Sequence, residues 1–499
     1  MEGKMGYAIN DETLITEILD NFSRVVEKEE KISSSFFFHP LDKEIMNHLR
    51  MLKPSSSNSI DYSQISKLDE LWVSLIDKSV TCLRYFDERE PFKGNPNKVA
   101  VTYGLEKLQK YHERYTNFEG LLYGSSSYYR DHIFHAIRTW MLGIFCLIKD
   151  IQTNKETLIE HIGKEAGDGQ EFISDMKFFE KISMWTIIAL CHDLGYPLEK
   201  SQQILDKTRE MMKEFIPNPN IWNNFGFSGT QDSINDYIVK FMSTKMKRND
   251  EQTVEYYLGR IQPKYYLKYA KSLERYDHGI VSAVILYKML LFFLESDFNL
   301  NDDYRYDICD AKQFYVRREI LRAMSSHTCA DIYNVHLTTF SSLLFFCDEL
   351  QEWGRKSWNS LYAGLQPEAI NLTIENFSQH EIIVHEKICM ESITDDNVIV
   401  RNIAQMFLEQ YSKYRLIFRD GQYTAIRTFG FTKKISIILC KTASATNTII
   451  IEFALKANEE NYFSVSILDA PKLTNEFYDK INKELKNSVY KKDLKFSLK

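Results

Sequence analysis

No stretch of this 499-residue chain approaches the roughly 18 consecutive apolar residues that a membrane span requires, and the opening segment MEGKMGYAINDETLITEILDNF has no basic leader. Export and membrane insertion are therefore not expected, and a cytoplasmic location is. The 8 cysteines, Cys82, Cys146, Cys191, Cys309, Cys329, Cys347, Cys389 and Cys440, include no CxxC pair, and several sit inside apolar runs. They read as buried, reduced thiols. Dense basic blocks are missing apart from a mild lysine cluster at the C-terminus, and 62 Lys+Arg against 69 Asp+Glu leave a net charge of −7. Long nucleic acid is not the expected partner; a small phosphorylated substrate needs only a few basic side chains in a cleft. Internal repeats and long low-complexity tracts are also lacking.

What is present is the composition of a folded globular protein, with 44% hydrophobic and 26% charged residues. The length exceeds what one core usually supports, so two or three domains are expected. Residues 1–120 carry amphipathic helical stretches such as TLITEILDNFSRVVEKEEKI and LDELWVSLIDKSVTCLRYF, with packing or self-association as their expected role. Residues 121–368 are strongly helical and more apolar. Residues 369–499 turn to β-branched and aromatic runs (EIIVHEKICM, KISIILC, TIIIEFAL, YFSVSIL), which predict a smaller α+β domain closed by a helix near 473–486 and a basic tail. The expected fold is mainly α: an all-helical central domain, an N-terminal helical region and a C-terminal α+β domain with a regulatory or oligomerisation role.

The residues with chemistry all fall in the central region. The apolar helix WTIIALCHDLGYP runs directly into His192 and Asp193 before Gly195 and Pro197 stop it. A carboxylate at such a place is costly unless a cation neutralises it. Asp348 follows SSLLFFC, with Gln351, Glu352 and Arg355 on the same side of its helix. His132 and His135 share one helical face in RDHIFHAIRTWMLG, His278 opens DHGIVSAVILYKML, and His327 closes REILRAMSSHT. Each has an ordinary explanation alone: a core histidine, a helix-surface carboxylate paired with Arg355, or an exposed helix start capped by Asp277.

Taken in order, His135, His192-Asp193, His278, His327 and Asp348 resemble the ligand series of the HD-domain metal-dependent phosphohydrolase superfamily. The local segments HAIRTWMLG, ALCHDLGYP and CDELQEWGR are similar to that family's first-histidine, His-Asp and closing-Asp helices. The resemblance covers residues 125–360, about half the chain. It implies His135, His192, Asp193 and Asp348 as ligands of one divalent ion. His278 and His327 then complete a second site bridged by Asp193, or serve as phosphate-binding and proton-donating groups. Neutral imidazoles with carboxylates suit Mn, Fe, Co, Ni or Zn, with Mg where oxygen and water dominate, at one or two ions per chain. Such an ion makes a hydroxide nucleophile from water and polarises phosphorus.

For the phosphate, the basic residues nearest the motif are Lys200, Arg355 and Arg138, with Arg130 equally placed. His132 is expected to support a ligand or fill the core. The resemblance implies an enzyme acting on a small nucleotide, with deoxynucleoside triphosphates preferred on the strength of the large helical domain. Against that branch's common Pro-Phe-Gly-His segment, this chain has HDLGYPLEKSQQIL. YDHGIVSA is similar to a segment of two-metal HD nucleases, so cyclic (di)nucleotide or single-stranded nucleic acid hydrolysis is the alternative, and a non-catalytic nucleotide sensor the third reading.

Overall fold

The structure, a computed structural model, describes residues 6–32, 42–52, 62–87, 104–125, 131–149, 158–162, 172, 176–216, 229–251, 254–294, 300, 304–329, 332, 338–355, 367–378, 381–391, 414, 430–440, 448–457, 464–469, 483 and 495–498. These are mainly helical, with a smaller sheet region. Before the first candidate ligand come strand β1 (Tyr7–Ile9) and helices α1 (Asp11–Ile32), α2 (Lys43–Met51), α3 (Ile65–Tyr85) and α4 (Leu105–Ser125). The helices that surround the candidate site are α5 (Ile133–Ile148), α7 (Phe178–Cys191), α8 (Tyr196–Lys213), α11 (His278–Met289), α12 (Ile308–Ser326) and α13 (Phe340–Leu350). Between them lie α6 (Leu158–His161), α9 (Thr230–Ser243) and α10 (Pro263–Glu274).

Two helices form the centre of the core because their sequences leave no polar face. Every residue of α5 is buried, and in α7 only Phe178 is partly exposed; a helix that is apolar all round belongs inside. They meet at Gly143, where an added Cβ would stand 1.9 Å from the Trp185 ring. The buried indoles keep their hydrogen bonds: Trp140 Nε1 donates to Thr186 Oγ1 and Trp185 Nε1 to the Trp140 carbonyl, both at 3.1 Å. On the other side of α7, Trp72 of α3 donates to the Leu190 carbonyl at 3.0 Å. One connected apolar core runs from Ile9 to Ile435.

The stretch expected to be wholly helical contains a three-stranded sheet, β2 (Thr244–Glu251), β3 (Val254–Ile261) and β4 (Arg305–Tyr306), in that order and antiparallel. Alternation places Thr244, Met246, Tyr257 and Tyr306 inside. Charged Arg248 and Glu255 share the face of Met246 and Tyr257, and Tyr256 is buried on the other, so no clean two-residue period marks these strands in the sequence.

After α13 the chain makes β5 (Pro367–Phe377), β6 (Glu381–Glu391), β7 (Gly430–Cys440), β8 (Thr448–Ala457), β9 (Ser464–Asp469) and β10 (Lys495–Leu498). They form one sheet in the order β1-β5-β6-β7-β8-β9-β10, with β6–β7 and β9–β10 parallel. The N-terminal β1 is thus an edge strand of the C-terminal sheet, Tyr7 facing Ile374. Phe346 of α13 packs its ring against Phe377 and Phe431, so the sheet leans on the helix that carries Asp348. The helix expected near 473–486 lies outside the described residues apart from Lys483, and the end of the expected basic tail enters the sheet as β10. Cys82, Cys146, Cys191, Cys329 and Cys347 are buried free thiols and Cys309 is half-buried. Among the described residues no helix is long and apolar enough to cross a membrane.

Candidate metal centre

The chain delivers its candidate ligands at or near the ends of buried helices. His135 lies in the first turn of α5, His192 is the C-cap of α7 with Asp193 next, His278 is the first residue of α11, His327 is the C-cap of α12, and Asp348 belongs to α13. Two glycines let these ends meet. A Cβ on Gly195 would stand 2.4 Å from the His278 carbonyl oxygen, and one on Gly279 2.4 Å from the Met324 carbonyl and 2.8 Å from the His327 ring. Close approach of the α7–α8 turn to α11, and of α11 to α12, depends on their lacking a side chain.

All six side chains converge. Asp193 turns one carboxylate oxygen to each half: Oδ2 is 3.2 Å from His192 Nε2 and 3.8 Å from His135 Nε2, while Oδ1 is 3.3 Å from His278 Nε2 and 3.8 Å from His327 Nε2. Asp348 Oδ1 is 2.7 Å from His135 Nε2 and 3.7 Å from His192 Nε2. The donor atoms of His135, His192 and Asp348, and those of His192, Asp193 and His327, lie close enough together to hold an ion.

The four imidazoles share one orientation of the ring. His135 Nδ1 is 2.5 Å from Gln351 Oε1, His192 Nδ1 is 2.8 Å from the Ala189 carbonyl, His278 Nδ1 is 2.6 Å from Glu199 Oε2, and His327 Nδ1 is 2.5 Å from the Met324 carbonyl. Gln351 Nε2 donates to the Trp353 carbonyl at 2.7 Å, which fixes its Oε1 as the acceptor for His135. Each Nδ1 therefore donates, and each Nε2 lone pair points inward. Acceptors that fix the tautomer in this way are the usual supports of metal-ligating histidines. His192 Nε2 is buried with no hydrogen-bond partner, and the Nε2 atoms of His278 and His327 stand 3.2 Å apart. Lone pairs and carboxylates so arranged need positive charge among them.

The proton affinities answer that need. Burial opposes a charge on His192, but Asp193 and Asp348 outweigh it and hold this imidazole up to about 10. His278 is likewise held up to about 9 against burial, by Asp193 and Glu199. Asp193 and Asp348 are pushed well below the usual carboxylate range despite burial, the first chiefly by His192 and the second by His135 and His192. His135, desolvated and close to the Arg355 charge, falls to about 4. Without a cation, protons on His192 and His278 supply the positive charge.

The basic candidates have different fates. Arg355 borders the site: its charge lowers His132 and His135, its Nη2 donates to the Asp131 carbonyl at 3.3 Å, and its buried Nε has no hydrogen-bond partner. Lys200 is held by Glu199 Oε1 at 2.5 Å and lies over the Tyr196 ring. Arg138 does not face the site. It is 2% exposed, grips both carboxylate oxygens of Asp11 at 2.9–3.1 Å, and donates to the Gly354 carbonyl. Arg130 lies outside the described residues. His132 packs its ring 3.8 Å from that of Tyr196 and its backbone N–H bonds to the Glu119 carboxylate.

Sequence reasoning missed Glu199, Glu119, Asp131 and Tyr115. Glu199 carries the His278 imidazole; the others are buried around the site, with Asp131 Oδ1 and the Tyr115 hydroxyl lacking hydrogen-bond partners. Nothing in the local sequence marks them, whereas Gln351, three residues after Asp348, sits where helical spacing puts it. Compared with known proteins, the chain matches no family model, no curated protein and no solved structure.

Proposed function

We propose that this chain is a divalent-cation-dependent phosphohydrolase acting on a nucleotide, as the resemblance to the HD-domain superfamily implies. One observation carries the reading: four imidazole Nε2 lone pairs and two carboxylates face one another, with the two oxygens of Asp193 divided between His135–His192 and His278–His327. This donor set fits Mn, Fe, Co, Ni or Zn, or Mg with added water. A divalent cation held there supplies Lewis-acid polarisation of a phosphoryl group and acidifies water.

The protein's own side chains do the rest. Gln351, Glu199 and the Ala189 and Met324 carbonyls hold the rings in the ligating tautomer. Asp193 and Asp348 stay ionised at neutral pH, and the unsatisfied Nε of Arg355 is the group best placed to receive a phosphate oxygen. Lys200, tied to Glu199, tunes the carboxylate that holds His278.

The sequence favours a deoxynucleoside triphosphate. The division of Asp193 between two histidine pairs favours the second reading, a phosphodiester: were each pair to hold a cation together with Asp193, the two would supply charge stabilisation for both the attacking and the leaving oxygen. The test is to incubate the purified chain with Mn²⁺, Mg²⁺ or Co²⁺ and, separately, dNTPs, cyclic dinucleotides and single-stranded DNA, with Asp193→Ala as control. Release of triphosphate or phosphate supports the first substrate class, and linear dinucleotide or DNA fragments the second. Nucleotide binding with no turnover under any metal makes the chain a sensor and overturns the enzyme.

A further inference from the structure

On the two parallel strands at the middle of the C-terminal sheet, the face turned to α13 is apolar with one exception on each. In β6 it carries Ile382, Val384, Glu386 and Ile388, and in β7 Phe431, Lys433 and Ile435, all of them buried. Lys433 stands opposite Val384 and Glu386 opposite Ile435, so the two charged residues are diagonal neighbours. Lys433 is 0% and Glu386 1% exposed, and Nζ lies 2.7 Å from Oε1 as a contact of charges rather than an aligned hydrogen bond.

Such a pair adds little stability to a sheet face. Taking two ions out of water costs about what their attraction returns, and apolar residues of similar size usually serve a core as well or better. Val384 and Ile435 beside the pair show that this face accepts them. What the charges add is direction. Lys433 Nζ donates to Tyr414 Oη at 3.3 Å and lies 5.0 Å from the centre of that ring. Tyr414 is fully buried, stacked on Phe431 at 5.0 Å and edge-on to Phe345 of α13 at 5.9 Å. Burial, and after it the charges of Glu386, Glu349 and Asp348, hold its hydroxyl well above the usual phenol range, so it stays protonated and accepts from the lysine. Asp348 follows Phe345 by three residues, on the same side of the helix.

We infer that Lys433 and Glu386 are positioning residues: through Tyr414 they fix how α13 sits on the C-terminal sheet, and with it the place of Asp348 among the imidazoles. The ring contacts of Phe346 with Phe377 and Phe431 are apolar and without direction, and by themselves leave the helix free to turn or slide. Asp348 has little room for that, with Oδ1 2.7 Å from His135 Nε2 and 3.7 Å from His192 Nε2. A sheet outside the span 125–360 thereby becomes part of the candidate metal centre. The fixing of α13 stands on these contacts alone; its effect on a cation deepens the phosphohydrolase reading and rests on it.

The test replaces the pair by apolar residues of similar size in the full chain, Lys433→Met/Glu386→Leu, beside the two single variants. Each single variant leaves one buried charge alone and is expected to lower the urea midpoint, and the double variant to return it to that of the wild type. A purely structural pair predicts a double variant like the wild type throughout. A positioning pair predicts two remaining defects: α13 amides that exchange faster in EDTA, read by mass spectrometry, and Mn²⁺ binding weaker by about tenfold, read by isothermal titration. Tyr414→Phe, which keeps the ring and loses the hydroxyl, is expected to show both defects to a lesser degree, and it decides the matter where the double variant does not fold. Exchange or Mn²⁺ affinity equal to that of the wild type in the double variant, or in Tyr414→Phe in its stead, overturns the inference. A wild-type chain that binds no Mn²⁺ removes the metal centre instead, and the exchange comparison then decides the positioning alone.

Discussion

The Nε2 atoms of His278 and His327 face each other at 3.2 Å, and each ring already spends its Nδ1 proton on another acceptor, Glu199 and the Met324 carbonyl. Two nitrogen lone pairs at that separation repel unless a proton or a metal ion lies among them. Asp193 Oδ1, 3.3 Å from the first and 3.8 Å from the second, adds a negative charge to the same point.

In the proposed metal centre Glu199 would make His278 a stronger ligand, by accepting its Nδ1–H as a carboxylate rather than as a neutral carbonyl. Glu199→Gln is therefore expected to weaken cation binding by about 10- to 100-fold, the usual cost of losing such a support, while leaving the fold intact. Isothermal titration with Mn²⁺ checks it; unchanged affinity removes Glu199 from the account.

Gly279 keeps α11 close to α12. In Gly279→Ala the new Cβ meets the Met324 carbonyl and the His327 ring, so the helices separate and the two imidazoles part. The expected cost is about 1–3 kcal/mol in denaturant unfolding, accompanied by loss of one bound cation per chain. Full cation stoichiometry in a destabilised variant would show that the helix spacing does not set the site.

Arg138 is structural. Its ion pair with Asp11 is almost fully buried and also meets Trp353, whose Nε1 donates to Asp11 Oδ1 at 2.9 Å. Removing one partner leaves the other charge buried alone, so Arg138→Ala and Asp11→Ala should each cost about 3–5 kcal/mol. A variant with unchanged stability and a raised KM would instead return Arg138 to the phosphate.

Stability of the metal-free protein should pass through a maximum near pH 6.5. His112, His132 and His135 are depressed to about 4, 3 and 4, chiefly by burial; the stability they contribute is present above 6.5 and lost as pH falls. Asp69, held up to about 6 by burial and then by Glu113, works against them on that side. His192 and His278 are raised to about 10 and 9; their contribution is full below 6.5 and lost as pH rises toward those values. Each group changes stability by at most about 1.4 kcal/mol per pH unit. Melting temperatures in EDTA at pH 5, 6.5 and 8.5 test this. A steady rise from 6.5 to 8.5 contradicts it, and saturating Mn²⁺, which holds the rings neutral, should abolish the alkaline fall.

The candidate residues that converge were legible in part because His135, His192-Asp193 and Asp348 interrupt apolar helical runs, where local sequence shows the anomaly. The order His135, His192-Asp193, His278, His327, Asp348 then survives folding as one cluster. Arg138 was misread because its partner Asp11 lies 127 positions away, a distance no helical pattern spans. Glu199 of α8 carries no local mark in the sequence, since only the packing of the α7–α8 turn on α11 brings it to His278. The hairpin was hidden because charged and buried residues occur on both of its faces, and β1 by its length of three residues, which takes its meaning from β5 alone.

The central claim is that the cluster of His135, His192, Asp193, His278, His327 and Asp348 holds a divalent cation. Electron paramagnetic resonance of the chain titrated with Mn²⁺ tests it most directly. The account predicts at least one tightly bound Mn²⁺ per chain in the wild type and none in Asp193→Ala; a second ion with an exchange-coupled signal would favour the phosphodiester reading. Binding of Mn²⁺ by Asp193→Ala equal to that of the wild type, or no tightly bound ion in the wild type, would contradict it.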